Sequence, residues 1–146
     1  MTNTISFKEL QIWQEIPSVV MHVTAEKIRK FADASKDYNP LHINPEWIKN
    51  YQFGKTRLRD IIGHGLITYT LMTRALTDWV WPLGGQHHRL EVRFTSPVYP
   101  GDTIHTEARV REKKVAGAKK FVVFDIVVKN REGAVVSEGR AMESLP

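Results

Sequence analysis

The chain has 146 residues, of which 42% are hydrophobic and 25% charged, values typical of a globular domain that buries a hydrophobic core without metal or disulfide support. It contains no cysteine, which excludes disulfide bonds, thiolate nucleophiles and cysteine-ligated zinc and fits a reducing compartment. Met1 to Gln14 lacks the apolar stretch of a secretory signal, and no apolar run reaches the roughly 18 residues of a membrane helix. We therefore expect a cytoplasmic protein with no membrane contact.

The balance of charge is basic, with a formal net charge of +5 and an isoelectric point of about 9.6. Such a balance suggests a polyanionic partner, either a nucleic acid, an acidic lipid or a phosphate-rich small molecule. The basic residues are scattered in short clusters, which are also typical of a solvated surface. Because the sequence shows no helix-turn-helix, zinc finger or RNP-type strand, we expect no nucleic-acid binding.

The first half of the chain predicts one strand followed by helices. The β-branched run from Pro17 to Val23 predicts a strand. Thr24 is a suitable N-cap for a helix over 25–35, whose apolar residues recur at helical spacing. Asn39-Pro40 is expected to break the helical pattern. Asn44-Pro45 then predicts the start of a second, short helix, because proline favours the first helical position after an Asn cap.

A polar loop and a long helix come next. Gly54 to Asp60 is polar and basic, which indicates a loop. The longest helix is predicted to begin near His64-Gly65 and to run to about Trp79, with apolar residues around most of its circumference, as in a buried helix. Pro82 and the glycines at 84 and 85 are expected to end it.

The second half predicts strands only, separated by turn residues. Their expected ranges are 87–95, 102–113, 119–130 and 134–143. One buried helix with an antiparallel meander indicates an α+β fold, in which the sheet wraps around the helix. We expect a single domain over 1–146, with its core at about 15–143.

Three residues in the strand region have structural interpretations. Asp125 lies in a nearly all-apolar strand, which predicts a paired structural group or a position at a dimer edge. His87 and His88 at the start of a strand are predicted to lie at the surface.

The segment from Ser35 to His42 combines a carboxylate, an amide and an imidazole around a proline. Asp37 and His42 are five residues apart, so they can face one pocket and share the activation of a water molecule. Asp-x-Asn-Pro is also a common turn sequence, and these residues alone leave a purely structural role open.

The segment from Ile61 to Leu66 precedes the long helix. Glycines allow the backbone to approach a ligand closely, and a helix N-terminus offers free N–H groups to an oxyanion or a phosphate. A tight turn in which His64 caps the helix is the alternative interpretation.

Together these segments resemble the MaoC-like dehydratases, the family of (R)-specific enoyl-CoA hydratases. Ser35 to His42 resembles the family pattern Ser-Gly-Asp-x-Asn-Pro-(Ile/Leu)-His, and His64-Gly65-Leu66 resembles the end of Ala-His-Gly-Met. Arg93 to Asp102 is similar to the family's Arg-Phe-x-x-Pro-Val-x-Pro-Gly-Asp segment. The resemblance covers about residues 18–143 in the same order.

The resemblance implies a hot-dog fold and the reversible hydration of trans-2-enoyl-CoA to (R)-3-hydroxyacyl-CoA, a reaction of fatty acid metabolism. It implies that Asp37 and His42 bind and activate water and that the N–H of Gly65 stabilises the oxyanion. Asn39 and His64 are expected to orient the substrate in the same site. We expect no metal and no cofactor other than the coenzyme A that the substrate carries.

The sequence departs from the family pattern in three places, of which the replacement of Ala and Met by Gly63 and Leu66 is mild. Lys36 stands where the family has glycine. The stretch between the two motifs is longer than in compact members, with 55–60 as the additional material. Arg57 and Arg59 in this stretch form the basic cluster nearest to the site in sequence, so they are expected to bind the coenzyme A phosphates.

Other functions on the same fold remain open at this point. A thioesterase would attack C1 rather than C3 and typically lacks the Asn-Pro-x-His that follows the carboxylate here. A non-catalytic subunit that binds acyl-CoA is expected to lose one of the acid–base residues, and this chain has both. The acyl carrier can be coenzyme A or a carrier protein.

Because a single hot-dog sheet leaves exposed edges, we expect a homodimer or a higher homo-oligomer.

Overall fold

The computed structural model describes residues 5–146, except for the side chain of Phe53. The first four residues of the segment that was predicted to lack a secretory signal lie outside this range. Eight strands are present in chain order: β1 (Glu15–Ile16), β2 (Val20–His22), β3 (Gln52–Phe53), β4 (Thr56–Arg57), β5 (Gln86–Phe94), β6 (Thr103–Ala116), β7 (Lys119–Asn130) and β8 (Val135–Leu145). The four α-helices are α1 (Ala25–Ser35), α2 (Pro40–Ile43), α3 (Pro45–Ile48) and α4 (Gly65–Val80).

One antiparallel sheet forms the body of the structure. Its strand order is β1-β6-β7-β8-β5, and β2 continues the β1 side by pairing with β6. Helix α4 packs against the four long strands of this sheet. Residues of α4 and of β7 form the centre of the core, where Leu71, Met72, Leu76, Phe124 and Ile126 are at most 1% exposed. This arrangement confirms the predicted α+β hot-dog fold, with its sheet wrapped around one buried helix.

Capping residues mark the start of α1 and the end of the turn that follows α4. The N-cap Thr24 accepts a hydrogen bond from the N–H of Lys27, and α1 covers 25–35 as predicted. Helix α4 is followed by a 3-10 turn at Trp81–Leu83, and Gly84 then adopts a left-handed conformation with φ of 74°. No helix of residues 5–146 is long and apolar enough to cross a membrane.

The predicted strand at 17–23 is wrong in its bounds, because only Val20–His22 (β2) of this range forms a strand and β1 ends before it, at Ile16. Ile16 pairs with Ala108 and Val20 with His105, so one extra residue lies on this side of the ladder. Pro17 has no N–H to donate to such a ladder. The N–H of Val19 instead donates to the hydroxyl of Thr106.

Two further predictions about local structure are corrected. Asn39-Pro40 does not only end a helical pattern but starts α2, because Asn39 accepts a hydrogen bond from the N–H of Leu41 and proline fits the first helical position. The predicted loop over 54–60 contains strand β4, which pairs with β3 in a short hairpin. Its turn is made by Gly54, whose φ of 57° is readily accessible to glycine.

Asp125 is a paired structural group, as predicted. Its carboxylate contacts Arg111 at 2.8 Å and Arg140 at 3.4 Å, and these side chains lie on neighbouring strands β6 and β8. The ion pairs therefore cross the three central strands and hold the carboxylate at the sheet surface.

Glu143 is a buried carboxyl group that the sequence analysis did not identify. It is 0% exposed and lies between Val122 of β7 and His87 of β5. One carboxyl oxygen is 2.7 Å from Nδ1 of His87, and the other has no hydrogen-bond partner among residues 5–146. The prediction that His87 lies at the surface is therefore wrong, since its side chain is only 23% exposed. Burial raises the pKa of Glu143 to about 7, although the bond to His87 acts in the opposite direction.

This raised pKa predicts a pH-dependent loss of stability that Glu143→Gln should remove. A carboxyl whose folded-state pKa is raised stabilises the fold below its unfolded pKa, here 4.5, and loses that contribution as the pH rises through about 7. We therefore expect the free energy of unfolding of the wild type to fall over this interval, whereas Glu143→Gln should show a smaller fall. Urea unfolding at a series of pH values measures both curves. Parallel curves for the two proteins would contradict the assignment.

Candidate active site

A cavity of about 270 Å³ lies beside the N-terminus of α4. We call residues 40–63, which connect the Asp37 loop to α4, the cap segment. One wall of the cavity comes from the cap segment, and the other comes from the end of β5 and the turn that follows it. The lining is mostly apolar and consists of Leu41, His42, Thr56, Leu58, Ile62, Gly63, His64, Gly65, Thr68, Phe94, Ser96, Pro97, Val98 and Val136.

The backbone conformation of Lys36 and a hydrogen bond from Asn39 shape the loop that carries Asp37. Lys36 ends α1 in the left-handed conformation, with φ of 62°, which costs a non-glycine residue about 1–2 kcal/mol. At this position, the family that the sequence resembles has glycine. The carboxylate of Asp37 accepts a hydrogen bond from the N–H of Asn39 at 3.2 Å. The side chain remains 52% exposed and is not part of the cavity lining, although its carboxylate lies within 4.8 Å of ring nitrogens of His42 and His64.

His42 lies in α2, and its orientation is fixed by the main chain of the cap segment. Its Nδ1 is 2.7 Å from the carbonyl oxygen of Ile62. Because a carbonyl oxygen only accepts, Nδ1 carries the proton in this bond and Nε2 of the neutral ring keeps its lone pair. Burial lowers the pKa of His42 from its ordinary value of 6.5; the bond to Ile62 opposes this, His64 adds a smaller lowering effect, and Asp37 has the smallest effect, which raises the pKa. The ring is therefore neutral near pH 7 and can accept a proton.

His64 is 3% exposed and immediately precedes α4. Its Nε2 is 3.0 Å from the carbonyl oxygen of Asp37 and 4.0 Å from the Asp37 carboxylate. Its ring stacks on that of His42, with centroids 3.8 Å apart and planes inclined by 26°, and Phe31 lies 4.9 Å away. The side chain makes no capping bond to α4. His64 therefore occupies the N-cap position of α4, as the alternative interpretation had it, but its side chain makes no capping hydrogen bond and its Nε2 contacts the Asp37 loop.

The ligand atoms of Asp37, His42 and His64 lie within 4.8 Å of one another, which makes them a possible metal site. Imidazole nitrogens bind zinc through lone pairs in the ring plane, at about 2.0–2.1 Å. Two nearly parallel rings with centroids 3.8 Å apart do not direct those lone pairs at one point. The stacked arrangement therefore favours proton transfer over the binding of a shared metal ion.

Gly65 is the first residue of α4 and borders the same cavity as the two histidines. The N–H groups of the first helical turn have no partner within the helix and carry partial positive charge. A Cβ at this position would lie 3.0 Å from the ring of Phe94, so a side chain here would displace the wall of the cavity. The predicted oxyanion donor is thus brought to the cavity that contains His42.

Asn39 does not reach the cavity, although it was predicted to orient the substrate. Its side-chain oxygen accepts a hydrogen bond from the N–H of Leu41 at 3.1 Å, and it serves as the N-cap of α2. This contact fixes the path of the chain between Asp37 and His42, so Asn39 acts on the geometry of the loop.

Arg57 and Arg59 contact the protein rather than the cavity. The guanidinium of Arg57 donates to the carbonyl oxygen of Lys49 at 3.1 Å. Arg59 lies 4.1 Å above the ring of Tyr99 and 3.8 Å from the carboxylate of Asp102. Among the described residues, the lining includes Thr56 and Leu58 from this stretch but neither arginine.

Several residues of the cavity wall were not identified by sequence analysis. Thr56 and Leu58 come from the stretch between the two motifs and Val136 comes from β8, and none of the three belongs to a motif. Phe94 was part of the quoted Arg93-to-Asp102 segment but had no assigned role. Its position against Gly65 is set by the pairing of β5 with β8, which a motif does not reveal.

Comparison with known proteins matches the chain to one family model and to proteins that are named hydratases or dehydratases. A family model described as MaoC like domain matches residues 13–131. An (R)-specific enoyl-CoA hydratase of Rhodospirillum rubrum is 30% identical over 129 residues, which cover 88% of this chain and 84% of that protein. A peroxisomal hydratase-dehydrogenase-epimerase of Saccharomyces cerevisiae is 39% identical over 74 residues, or 51% of this chain, and this match spans only 7% of the yeast protein.

The fold is also similar to that of a solved R-hydratase. The unliganded R-hydratase PhaJ1 from Pseudomonas aeruginosa aligns with a TM-score of 0.81 and 26% sequence identity. The alignment covers 98% of this chain and 86% of that structure. The agreement therefore extends over the sheet, α4 and the cap segment together.

Proposed function

Because this chain belongs to the MaoC-like domain family, we propose that it catalyses the (R)-specific hydration of a trans-2-enoyl thioester and the reverse dehydration. The chain is an enzyme of the hydratase and dehydratase class, as its relatives indicate. One observation carries the assignment of the reaction. His42 and the N-terminus of α4 border one mostly apolar cavity, and a carboxylate oxygen of Asp37 lies within 4.8 Å of ring nitrogens of His42 and His64.

The proposed mechanism uses the three groups in separate roles. The thioester carbonyl oxygen accepts a hydrogen bond from the N–H of Gly65, which stabilises the enolate that forms when water attacks C3. Asp37 and His42 bind the attacking water, and Nε2 of His42 takes its proton. Return of a proton to C2 gives the 3-hydroxyacyl thioester. Water adds across the double bond with no net oxidation or reduction, so the reaction requires no redox cofactor.

The acyl group is proposed to bind in the cavity between the cap segment and the β5 end. Its apolar walls suit a hydrocarbon chain, while the exposed Asp37 side can face bulk water. The thioester substrate can be carried by coenzyme A or by an acyl carrier protein, since both present the acyl group through the same phosphopantetheine arm.

Asp37→Asn and His42→Ala should each lower the hydration rate by about two to four orders of magnitude, the usual contribution of general acid–base groups. The rate is measured as loss of the ultraviolet absorbance of crotonyl-CoA. Asp33→Asn on α1 and His88→Ala on β5 are matched controls, because both side chains are exposed and lie outside the cavity lining of residues 5–146. Activity above about a tenth of wild type in either site variant would refute the role of that residue, and release of free thiol instead would indicate a thioesterase.

Arg57 and Arg59 are proposed to contact the coenzyme A phosphates from outside the cavity. The combined Arg57→Ala and Arg59→Ala variant should raise KM for crotonyl-CoA several-fold with kcat unchanged, because each exposed contact contributes about 1 kcal/mol or less. The effect should weaken at high salt. It should be absent for the N-acetylcysteamine thioester, which has no phosphates. Arg74→Ala with Arg89→Ala removes the same charge elsewhere and serves as the control.

The result with the phosphate-free thioester distinguishes binding of the coenzyme A phosphates by the arginines from support of the cavity wall by Arg59. Arg59 also contacts Tyr99 and Asp102, which follow the cavity wall at Val98. If KM rises equally for both thioesters, the arginines support the wall and do not bind phosphate.

A homodimer is proposed as the assembled state. Strand β5 is nine residues long and forms the edge of the sheet, where its outer N–H and C=O groups have no strand partner among residues 5–146. Leu66 and Phe94 beside the cavity are 51% and 50% exposed. A long unpaired edge with adjacent apolar side chains favours pairing with a second copy. Light scattering should give twice the chain mass of 16.8 kDa, and a mass of one chain at micromolar concentration would contradict the dimer.

A further inference from the structure

One ring nitrogen of His64 is used by the main chain, and the other is inaccessible to solvent. Nε2 is 3.0 Å from the carbonyl oxygen of Asp37, and since that oxygen only accepts, Nε2 supplies the proton. Nδ1 is inaccessible to solvent and has no hydrogen-bond partner among the described residues. The ring borders the cavity, yet only 3% of the residue is exposed. A substrate contact through a ring nitrogen is therefore not available in this arrangement.

The same ring contacts both members of the proposed acid–base pair. Its N–H holds the main chain of Asp37, which limits how far that loop can move from α4. Its face stacks on His42 at 3.8 Å. The Ile62 carbonyl restrains His42 within its ring plane, and the stack restrains it perpendicular to that plane. His64 also packs against Phe31 of α1, and this contact restricts movement of the His64 ring.

We propose that His64 is a positioning residue, which holds the Asp37 loop and the His42 ring at a fixed separation beside the cavity and does not itself bind the substrate. The proposal rests on the proposed hydratase function. It replaces the substrate-orienting role that the sequence resemblance implied for His64. Both restraints depend on one residue, so the aromatic face and the N–H donor are both required.

Two substitutions separate the two restraints. His64→Phe keeps an aromatic ring against His42 but removes the donor to Asp37. His64→Gln keeps an N–H donor at similar reach but removes the stacked ring. Each should lower kcat for crotonyl-CoA by about ten- to a hundredfold, the effect of displacing a reacting group by about 1 Å. KM should stay within about a factor of two, because ground-state binding is unchanged. His88→Phe is the matched control and should retain wild-type kinetics.

A variant that has merely unfolded is recognised by a combination with His42→Ala. If His64 acts through the acid–base pair, His64→Gln, which removes the ring stacked on His42, should cause little further loss in the His42→Ala background, as for residues that act as a unit. An additive loss in that background would overturn the proposal. A raised KM with unchanged kcat would also overturn it, because that pattern indicates a substrate contact.

A readout that needs no turnover is the titration of the His42 ring, followed by its imidazole proton resonances. Burial and the neighbouring His64 both lower the pKa of His42, so His64→Gln should move this pKa upward, whereas His64→Phe, which keeps the ring covered, should move it less. Identical titrations in all three proteins would refute contact between the two rings. If the wild type itself does not hydrate enoyl thioesters but the titrations differ as expected, the proposed function fails while the coupling of the rings stands.

Discussion

Two imidazole rings, stacked face to face, each give one N–H to a main-chain carbonyl from another part of the chain. The bond from His42 to Ile62 spans 20 residues, and the bond from His64 to Asp37 spans 27. Together they tie the loop after α1, the short helix α2 and the start of α4 to one another. His42 borders the cavity, and its Nε2 keeps a free lone pair because Nδ1 donates to Ile62, so the tautomer and the path of the loop follow from these two bonds. A carbonyl acceptor fixes a proton position more firmly than a hydroxyl could, because it has no alternative role as donor.

The buried helix α4 gives these contacts a fixed reference. Its middle residues are among the most buried of the chain, so its N-terminus cannot move far from the sheet. That N-terminus carries His64 and Gly65, which places the stacked ring and the predicted oxyanion donor on the most rigid element of the fold. The carboxylate and His42 lie instead on segments that reach this element through hydrogen bonds and stacking. His64 and Gly65 therefore lie at the start of a deeply buried helix, whereas Asp37 and His42 are held to it by few contacts.

Local patterns in the sequence predicted those parts of the structure that depend on neighbouring residues. The N-cap at Thr24 and the apolar spacing after it fixed the bounds of α1, and the motif around Asp37 and His42 located the loop beside the cavity. The directions of Arg57 and Arg59 were not predictable in this way. Side chains alternate along a strand, and a basic, polar stretch does not reveal that β4 exists or that Thr56 and Leu58 take the inward positions. His64 was assigned a substrate-orienting role for a related reason, since its partners lie on segments that the motif does not connect.

The pairing of Glu143 could not be predicted from the sequence for a different reason. Alternation along β8 places this carboxyl on the covered side of the sheet, but nothing in the neighbouring residues indicates that it is charged or paired. Its partner His87 is 56 residues away in sequence and lies beside it only because β5 and β8 pair. A residue that contradicts the polarity of its own environment can be recognised as such only after the strand register is known.

The apolar support of the cap segment has a consequence for local unfolding. Apart from the main core, a separate cluster contains only three buried residues, Ile48, Leu58 and Ile61, and Leu58 also borders the cavity. Regions with few buried apolar contacts open at a lower free energy than the global transition. We therefore expect the main-chain amides of the cap segment to exchange with solvent at a lower free energy of opening than those of α4 and the four long strands.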